Sequence, residues 1–242
     1  MGTLLLRLAG PMQAWGDESK YDIRGTKKEP TKSGVIGMIA AALGLPRDSK
    51  KIVSLAEKIR MGVRVDQPGT VIQDFHTARA PKYKKNGFLD YDEAGNIIME
   101  KSPYVTQRFY LSDAVFLVGL ECDDEELLKR IEYAIKNPLF PLFLGRRSCP
   151  PTLPVLLGTE SGELESALHD SPWIASDWYK EKKSCIRARI ITETKKGQTA
   201  WYAQMDQPIS YSPVYRRYSL RGLNKESYIM LGTPEHDPMS VL

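Results

Sequence analysis

The sequence predicts an α+β protein built on a ferredoxin-like antiparallel sheet with helices on one face, a long β-hairpin insertion and a β-rich C-terminal region. Three observations predict it. The first 150 or so residues read in the order strand, helix, helix, strand, strand, helix, strand, which is the split βαβ pattern. One connection inside that order runs to roughly 45 residues, too long for a passive loop in a compact domain. Beyond Pro154 the pattern turns to short alternating segments.

Each element has a local cause. Thr3 to Ala9 is an apolar run stopped by Gly10-Pro11, as expected of a buried strand. After Pro30, Thr31 or Ser33 can cap a helix through VIGMIAAALGL to Gly44 and Pro46. Its apolar residues cover nearly every face, so it is buried, and Gly34, Gly37, Ala40 and Ala41 admit a close neighbour or a ligand. Asp48 or Ser49 can cap a second helix, with Ile52, Leu55, Ala56 and Ile59 on one face. Met61, Val63 and Val65 then alternate with polar residues as in a half-exposed strand.

The long connection has a polar, turn-rich middle, KYKKNGFLDYDEAGN, and a β-prone return limb, Tyr104 to Leu111, so an extended hairpin over 68–111 is expected. Ala114 to Leu120 is apolar on both parities and suits a central strand covered on both faces. Acidic residues 123–126 favour the N-terminus of a further helix, whose stripe is Leu127, Ile131, Ala134 and Ile135 and which Pro138 follows. Leu142 to Leu144 is then expected as a short strand ending at Gly145. In the tail, Ile186, Ala188 and Ile190 alternate with arginines before a Lys195-Lys196-Gly197 turn, predicting a hairpin with TAWYAQM as its second limb. The expected division is a main domain over 1–153 and a β-rich region over 154–242.

Composition bounds the function. With 42% hydrophobic and 26% charged residues over 242 positions, the chain is long and apolar enough to bury a sizeable core. A net charge of +4 neither demands nor excludes nucleic acid, so the placement of charge must decide. Basic clusters occur at Lys82/Lys84/Lys85, Arg146/Arg147, Lys180/Lys182/Lys183 and Arg216/Arg217/Arg221. The three cysteines form no CxxC pair and no membrane span or export signal is visible, so a reducing cytoplasm is expected and no membrane. HExxH, P-loop and clustered-carboxylate motifs are missing, and no cofactor or metal is expected.

The stretch FLGRRSCPP, Phe143 to Pro151, joins a glycine, two arginines and paired prolines. Glycine after a strand lets backbone donors approach a phosphate and two arginines supply forked, charged donors; on residue chemistry alone, pairing of the arginines with surface carboxylates is the more common outcome. With LRLAGPMQAWG (6–16), PTKSGVIGMIAAALGL (30–45), DFHT (74–77) and TQRFYLSDAVF (106–116), it resembles, in order, the CasD family of the RAMP superfamily, a subunit of the type I-E CRISPR Cascade complex. The resemblance covers roughly the first two-thirds of the chain.

The resemblance implies an RRM-like RAMP fold and a subunit that binds the 5′ handle of CRISPR RNA, contacts the CasC backbone subunit and the large CasA subunit, and meets target DNA only through the complex. It implies that the long hairpin is a thumb. Gly145, Arg146 and Arg147 would contact handle RNA. Thr31, Lys32 and Ser33 would hold phosphate at a helix start that also reads as an ordinary capped core helix. Gln13 and Trp15 lie in the GPMQAWG loop, where Trp15 would stack on a splayed base or plug the core. Arg108 and Tyr110 on the return limb, Arg24 ahead of Pro30 and His76 of DFHT complete the candidate RNA contacts.

The alternative is a metal-independent endoribonuclease using His76, with Lys82, Lys84, Lys85, Tyr83 or Tyr110 assisting. His169 and His236 lack comparable company. The resemblance is to the branch in which a separate CasE subunit cuts the precursor, so a noncatalytic chain is expected.

Overall fold

The computed structural model describes residues 2–16, 22–212 and 214–232. In chain order they form β1 (Gly2–Ala9), the short β2 (Met12–Gln13), β3 (Trp15–Gly16), β4 (Ile23–Arg24) and β5 (Thr26–Lys27), then α1 (Lys32–Ala42), α2 (Lys50–Lys58) and β6 (Arg60–Gln67). The hairpin strands β7 (Thr70–Ala78) and β8 (Tyr104–Ser112) come next, followed by β9 (Val115–Cys122), α3 (Glu125–Lys136), β10 (Leu156–Ser161), α4 (Leu164–Asp170) and α5 (Asp177–Lys182). The chain ends in β11 (Cys185–Thr192), β12 (Tyr202–Ser210), β13 (Arg217–Leu223) and β14 (Ser227–Gly232). Among the described residues no helix is long and apolar enough to cross a membrane.

The main sheet is antiparallel, in the order β10-β1-β9-β6-β11-β14. β9 is buried along its whole length, as its double-parity apolar run requires. Leu4, Leu6, Leu8, Phe116, Val118 and Leu120 share one face with Ile36, Ile39, Leu55 and Ile131 of α1, α2 and α3. Leu5 and Leu117 point to the other face, where Leu164, Ala167 and Leu168 of α4 cover them. The expectation of helices on one face is therefore corrected: β1 and β9, whose alternating residues are buried on both faces, need a second lid, and α4 supplies it.

Three further expectations change. Leu142–Leu144 is not a strand; the place beside β1 belongs to β10, which begins at Leu156. The sheet consequently runs across the division placed at residue 153, since β10, β11 and β14 all belong to it. The turn at 195–197 is present, with Gly197 at φ 85° and the Gln198 amide on the Lys195 carbonyl, but β11 pairs with β14 and β6 while β12 pairs with β13. A turn signal sets a reversal of direction; it does not choose the partner strand.

The hairpin is extended as expected. β7 and β8 pair over nine residues from Thr70↔Ser112 to Ala78↔Tyr104, and the segment beyond carries only isolated bridges such as Tyr83↔Leu89 and Tyr91↔Ile97. At its other edge β8 pairs with β2 and, in parallel, with β4.

Candidate nucleic-acid interface

Helix α1 organises the site. Thr31 is its N-cap, extended at φ −85°, ψ 147°, with its hydroxyl accepting from the Gly34 amide at 3.2 Å. The Lys32 amide donates to Asp206 Oδ2 of β12 at 2.9 Å, so the anion at this helix start is the chain's own carboxylate. Lys32 Nζ lies 2.8 and 2.9 Å from the two Glu193 carboxylate oxygens, and Arg221 grips Asp206 with Nε and Nη2 at 2.7 and 2.8 Å. Burial pulls the Lys32 ammonium below the ordinary lysine range, and Glu193 opposes that shift. Lys32 and Thr31 are each only 1% exposed, so neither offers an open phosphate site, which corrects that expectation.

The GPMQAWG loop is also interior. Gln13 Nε2 donates to the Leu8 and Ala114 carbonyls at 3.1 and 2.7 Å, while its Oε1 accepts from Trp15 Nε1 at 3.0 Å. Trp15 is fully buried, and a Cβ on Gly34 would stand 2.8 Å from its ring. Its role is to plug the core above α1; no ring face remains for a base. Gln13 likewise has no free group to offer RNA.

The GRR loop docks on this same loop. The Ala14 amide donates to the Leu144 carbonyl at 3.0 Å, and Leu144 and Cys149 close a turn through Leu144 N to Cys149 O at 2.7 Å. Gly145 sits at φ 86°, where a Cβ would fall 1.7 Å from the Ala14 carbonyl oxygen. Glycine is required here for a backbone approach within the protein.

The two arginines then diverge. Arg146 donates to the carbonyls of Phe109 (3.2 Å), Arg24 (2.9 Å) and Gly25 (3.1 Å), and its guanidinium lies 4.8 Å from the Tyr110 ring centroid. It ties the loop to β4 and β8. Tyr110 is 3% exposed with a face already occupied, so it is not a stacking platform. Arg147 is exposed, has no partner among the described residues, and borders a cleft of about 710 Å³.

That cleft has three walls. Gly34, Gly37, Ala40 and Ala41 form a shallow floor on α1; Phe140, Pro141, Leu142 and Phe143 form an apolar bank; Tyr211, Arg216 and Tyr218 stand opposite. Ser33, Gly145 and the almost fully covered Thr31 line it too, so these three sequence candidates and Arg147 are brought together. Arg47 reaches it from the turn after α1, and neither Arg47 nor Arg216 has an ion-pair partner among the described residues. Tyr211 donates its hydroxyl to the Ser33 carbonyl at 2.6 Å, and burial raises its pKa far above the ordinary tyrosine range. Arg47 carried no sequence signal, being a single arginine between Pro46 and Asp48. Arg216 and Tyr218 were visible only as part of the aromatic and arginine mixture in YSPVYRRYSLRG.

The remaining candidates lie on the hairpin. Asp74, Arg108 and Arg24 stand opposite one another across β7, β8 and β4. His76 Nε2 is 2.6 Å from Asp74 Oδ2, both half-exposed, and the buried Arg108 Nε has no partner among the described residues. His236 lies outside the described residues. Among them no three His, Cys, Asp or Glu side chains gather as a metal site.

This architecture has known counterparts. The family described as CRISPR-associated protein (Cas_Cas5) matches residues 3–222. The chain is 33% identical over 191 residues to CRISPR system Cascade subunit CasD of Escherichia coli (strain K12), covering 74% of this chain and 81% of that protein. Among solved structures, a chain of a CRISPR RNA-guided surveillance complex superposes with a TM-score of 0.70 at 29% identity, covering 98% of this chain and 96% of the other. A structure described as a Cas protein gives a TM-score of 0.65 at 35% identity, covering 93% and 94%. With the family matched across nearly its whole described length, this chain belongs to the Cas_Cas5 family of CRISPR-associated proteins.

Proposed function

We propose that the chain is a noncatalytic RNA-binding subunit of a type I-E CRISPR surveillance complex, Cascade, acting in the cytoplasm. It holds the 5′ handle of CRISPR RNA and caps the filament of backbone subunits. The observation that carries this reading is the cleft: an apolar floor and bank rimmed by Arg47, Arg147 and Arg216, none of them ion-paired among the described residues. Single-stranded RNA asks for this combination, because splayed bases need apolar or aromatic surface and phosphates need uncommitted cations. Tyr218 and Phe140 are both exposed enough to meet a base. The order β10-β1-β9-β6, with α1 to α3 on one face, supports a ferredoxin-like RAMP core, and the β7–β8 hairpin fits a thumb reaching CasC. CasA is the second expected protein partner, and target DNA is met through the complex.

The test uses the full chain and end-labelled RNA carrying one CRISPR repeat, with chelator present, scored for retention and cleavage. We expect intact, retained RNA. Replacing Arg147 and Arg216 together by alanine should flatten the plot of log K against log[salt] by about 1.4, at about 0.7 per lost single-strand phosphate contact. An unchanged slope in a folded variant would remove the cleft from the RNA site.

A second reading rests on the Asp74–His76 pair, in which a carboxylate that faces Arg108 across the hairpin orients a half-exposed imidazole. On that reading the chain would be a metal-independent endoribonuclease. A discrete cut within the repeat that His76→Ala abolishes, with RNA retention intact, would favour it over the noncatalytic reading.

A further inference from the structure

Tyr211, Arg216 and Tyr218 reach the cleft from a ribbon that is not part of the main sheet, since β12 and β13 hydrogen-bond as strands only to each other. At its base the ribbon is tied to β11 through backbone bonds, Thr194 N to Gly222 O at 3.0 Å and Asn224 N to Thr192 O at 3.0 Å. Toward the cleft, where β12 passes over α1, the contact is of another kind. Asp206, 2% exposed, accepts from the Lys32 amide with one oxygen and holds Arg221 of β13 with both. One carboxylate thus joins the first turn of α1 to both ribbon strands. Glu193 completes the cluster, bound to Lys32 and 4.0 Å from Arg221.

We infer that Asp206 is a positioning residue for the cleft: through the α1 amide and Arg221 it holds the β12–β13 ribbon so that Tyr211 and Arg216 stand across from Arg147. This rests on the reading of the cleft as an RNA site. The physical reason is that a two-stranded ribbon joined to the sheet by backbone bonds at its base has little rigidity of its own beyond them. A buried ion pair adds little net stability compared with an apolar pair of the same volume, but it allows few alternative arrangements. Asp206 touches no RNA in this scheme. Its effect passes through the placement of Arg216.

The experiment compares Asp206→Asn, Arg216→Ala and the double variant in the full chain, by amide hydrogen exchange and by affinity for repeat RNA. Asp206→Asn is expected to speed exchange across 202–223 and at Lys32 about tenfold while the main sheet stays protected. It should weaken RNA binding about as much as Arg216→Ala, with no further loss when the two are combined. If Asp206→Asn does not fold, Asp206→Leu with Arg221→Met removes both charges together and takes its place. Unchanged exchange in the ribbon would overturn the proposal. Fully additive losses, with Arg216 contributing to affinity, would overturn the positioning role and leave the RNA cleft standing. Wild-type binding by Arg216→Ala would overturn the cleft wall and the positioning role together.

Discussion

Two groups of basic residues flank helix α1 and end in opposite electrostatic states. At its first turn, Lys32 and Arg221 are buried against Glu193 and Asp206, so that cluster is internally neutral. Along the neighbouring cleft, Arg47, Arg147 and Arg216 have no such partners among the described residues. Removing a charge from water is costly unless an opposite charge goes with it, so the buried group had to be matched and the rim did not. Uncommitted charge at a water-accessible rim is what an external polyanion can use. Arg146 belongs with the matched group although its neighbour does not: three carbonyls and the Tyr110 ring take up its guanidinium.

The hardest break in this contrast is Gly145→Ala. It puts a methyl group into the Ala14 carbonyl at a positive φ, and we expect a loss of about 3 kcal/mol or more, seen as a collapse of the urea midpoint. The cleft bank would then lose its anchor, and RNA retention should fall with it.

Next come the adjacent arginines, changed one at a time. Arg146→Ala should cost about 1–3 kcal/mol, because a charged donor to three carbonyls is removed. Arg147→Ala should leave stability within about 0.5 kcal/mol and instead reduce the salt slope of RNA binding by about 0.7. Equal stability losses in urea titrations would show that the two residues do not differ as described.

A modest, pH-dependent effect is expected at Tyr211. Its folded-state pKa is raised by burial, so above about pH 10 the unfolded chain loses the phenolic proton while the folded chain keeps it. The folded state then binds more protons, and stability must fall as pH rises through that range. Tyr211→Phe should cost about 1 kcal/mol at neutral pH through the lost bond to Ser33 and should abolish this part of the alkaline slope, measured by denaturant titration.

Legibility in the sequence followed the range of the interactions involved. The α1 cap at Thr31, the α2 face of Ile52, Leu55 and Ala56, and the full burial of β9 all depend on neighbours a few residues away or on simple parity, and each appears where its pattern placed it. Leu142 to Leu144 reads as a strand because it is apolar, whereas β10 carries a mostly exposed LLGTES with no such signal. An edge strand needs only one good partner, here β1, and its own side chains say little about it. Trp15 shows the same limit: its aromatic ring suits a base or a core equally, and the small side of α1 at Gly34 settled which.

By itself, the sequence determined the supply of chemistry: the periodicities that make the helices and strands, the ordered motifs that place the chain in its family, and the presence of a glycine and two arginines in one stiff loop. Only the tertiary structure decided how that chemistry was allotted. Arg146 meets carbonyls 122, 121 and 37 residues away, and Lys32 meets carboxylates 161 and 174 residues away. Coulomb and desolvation energies depend on distance in space and on burial, and separation along the chain encodes neither.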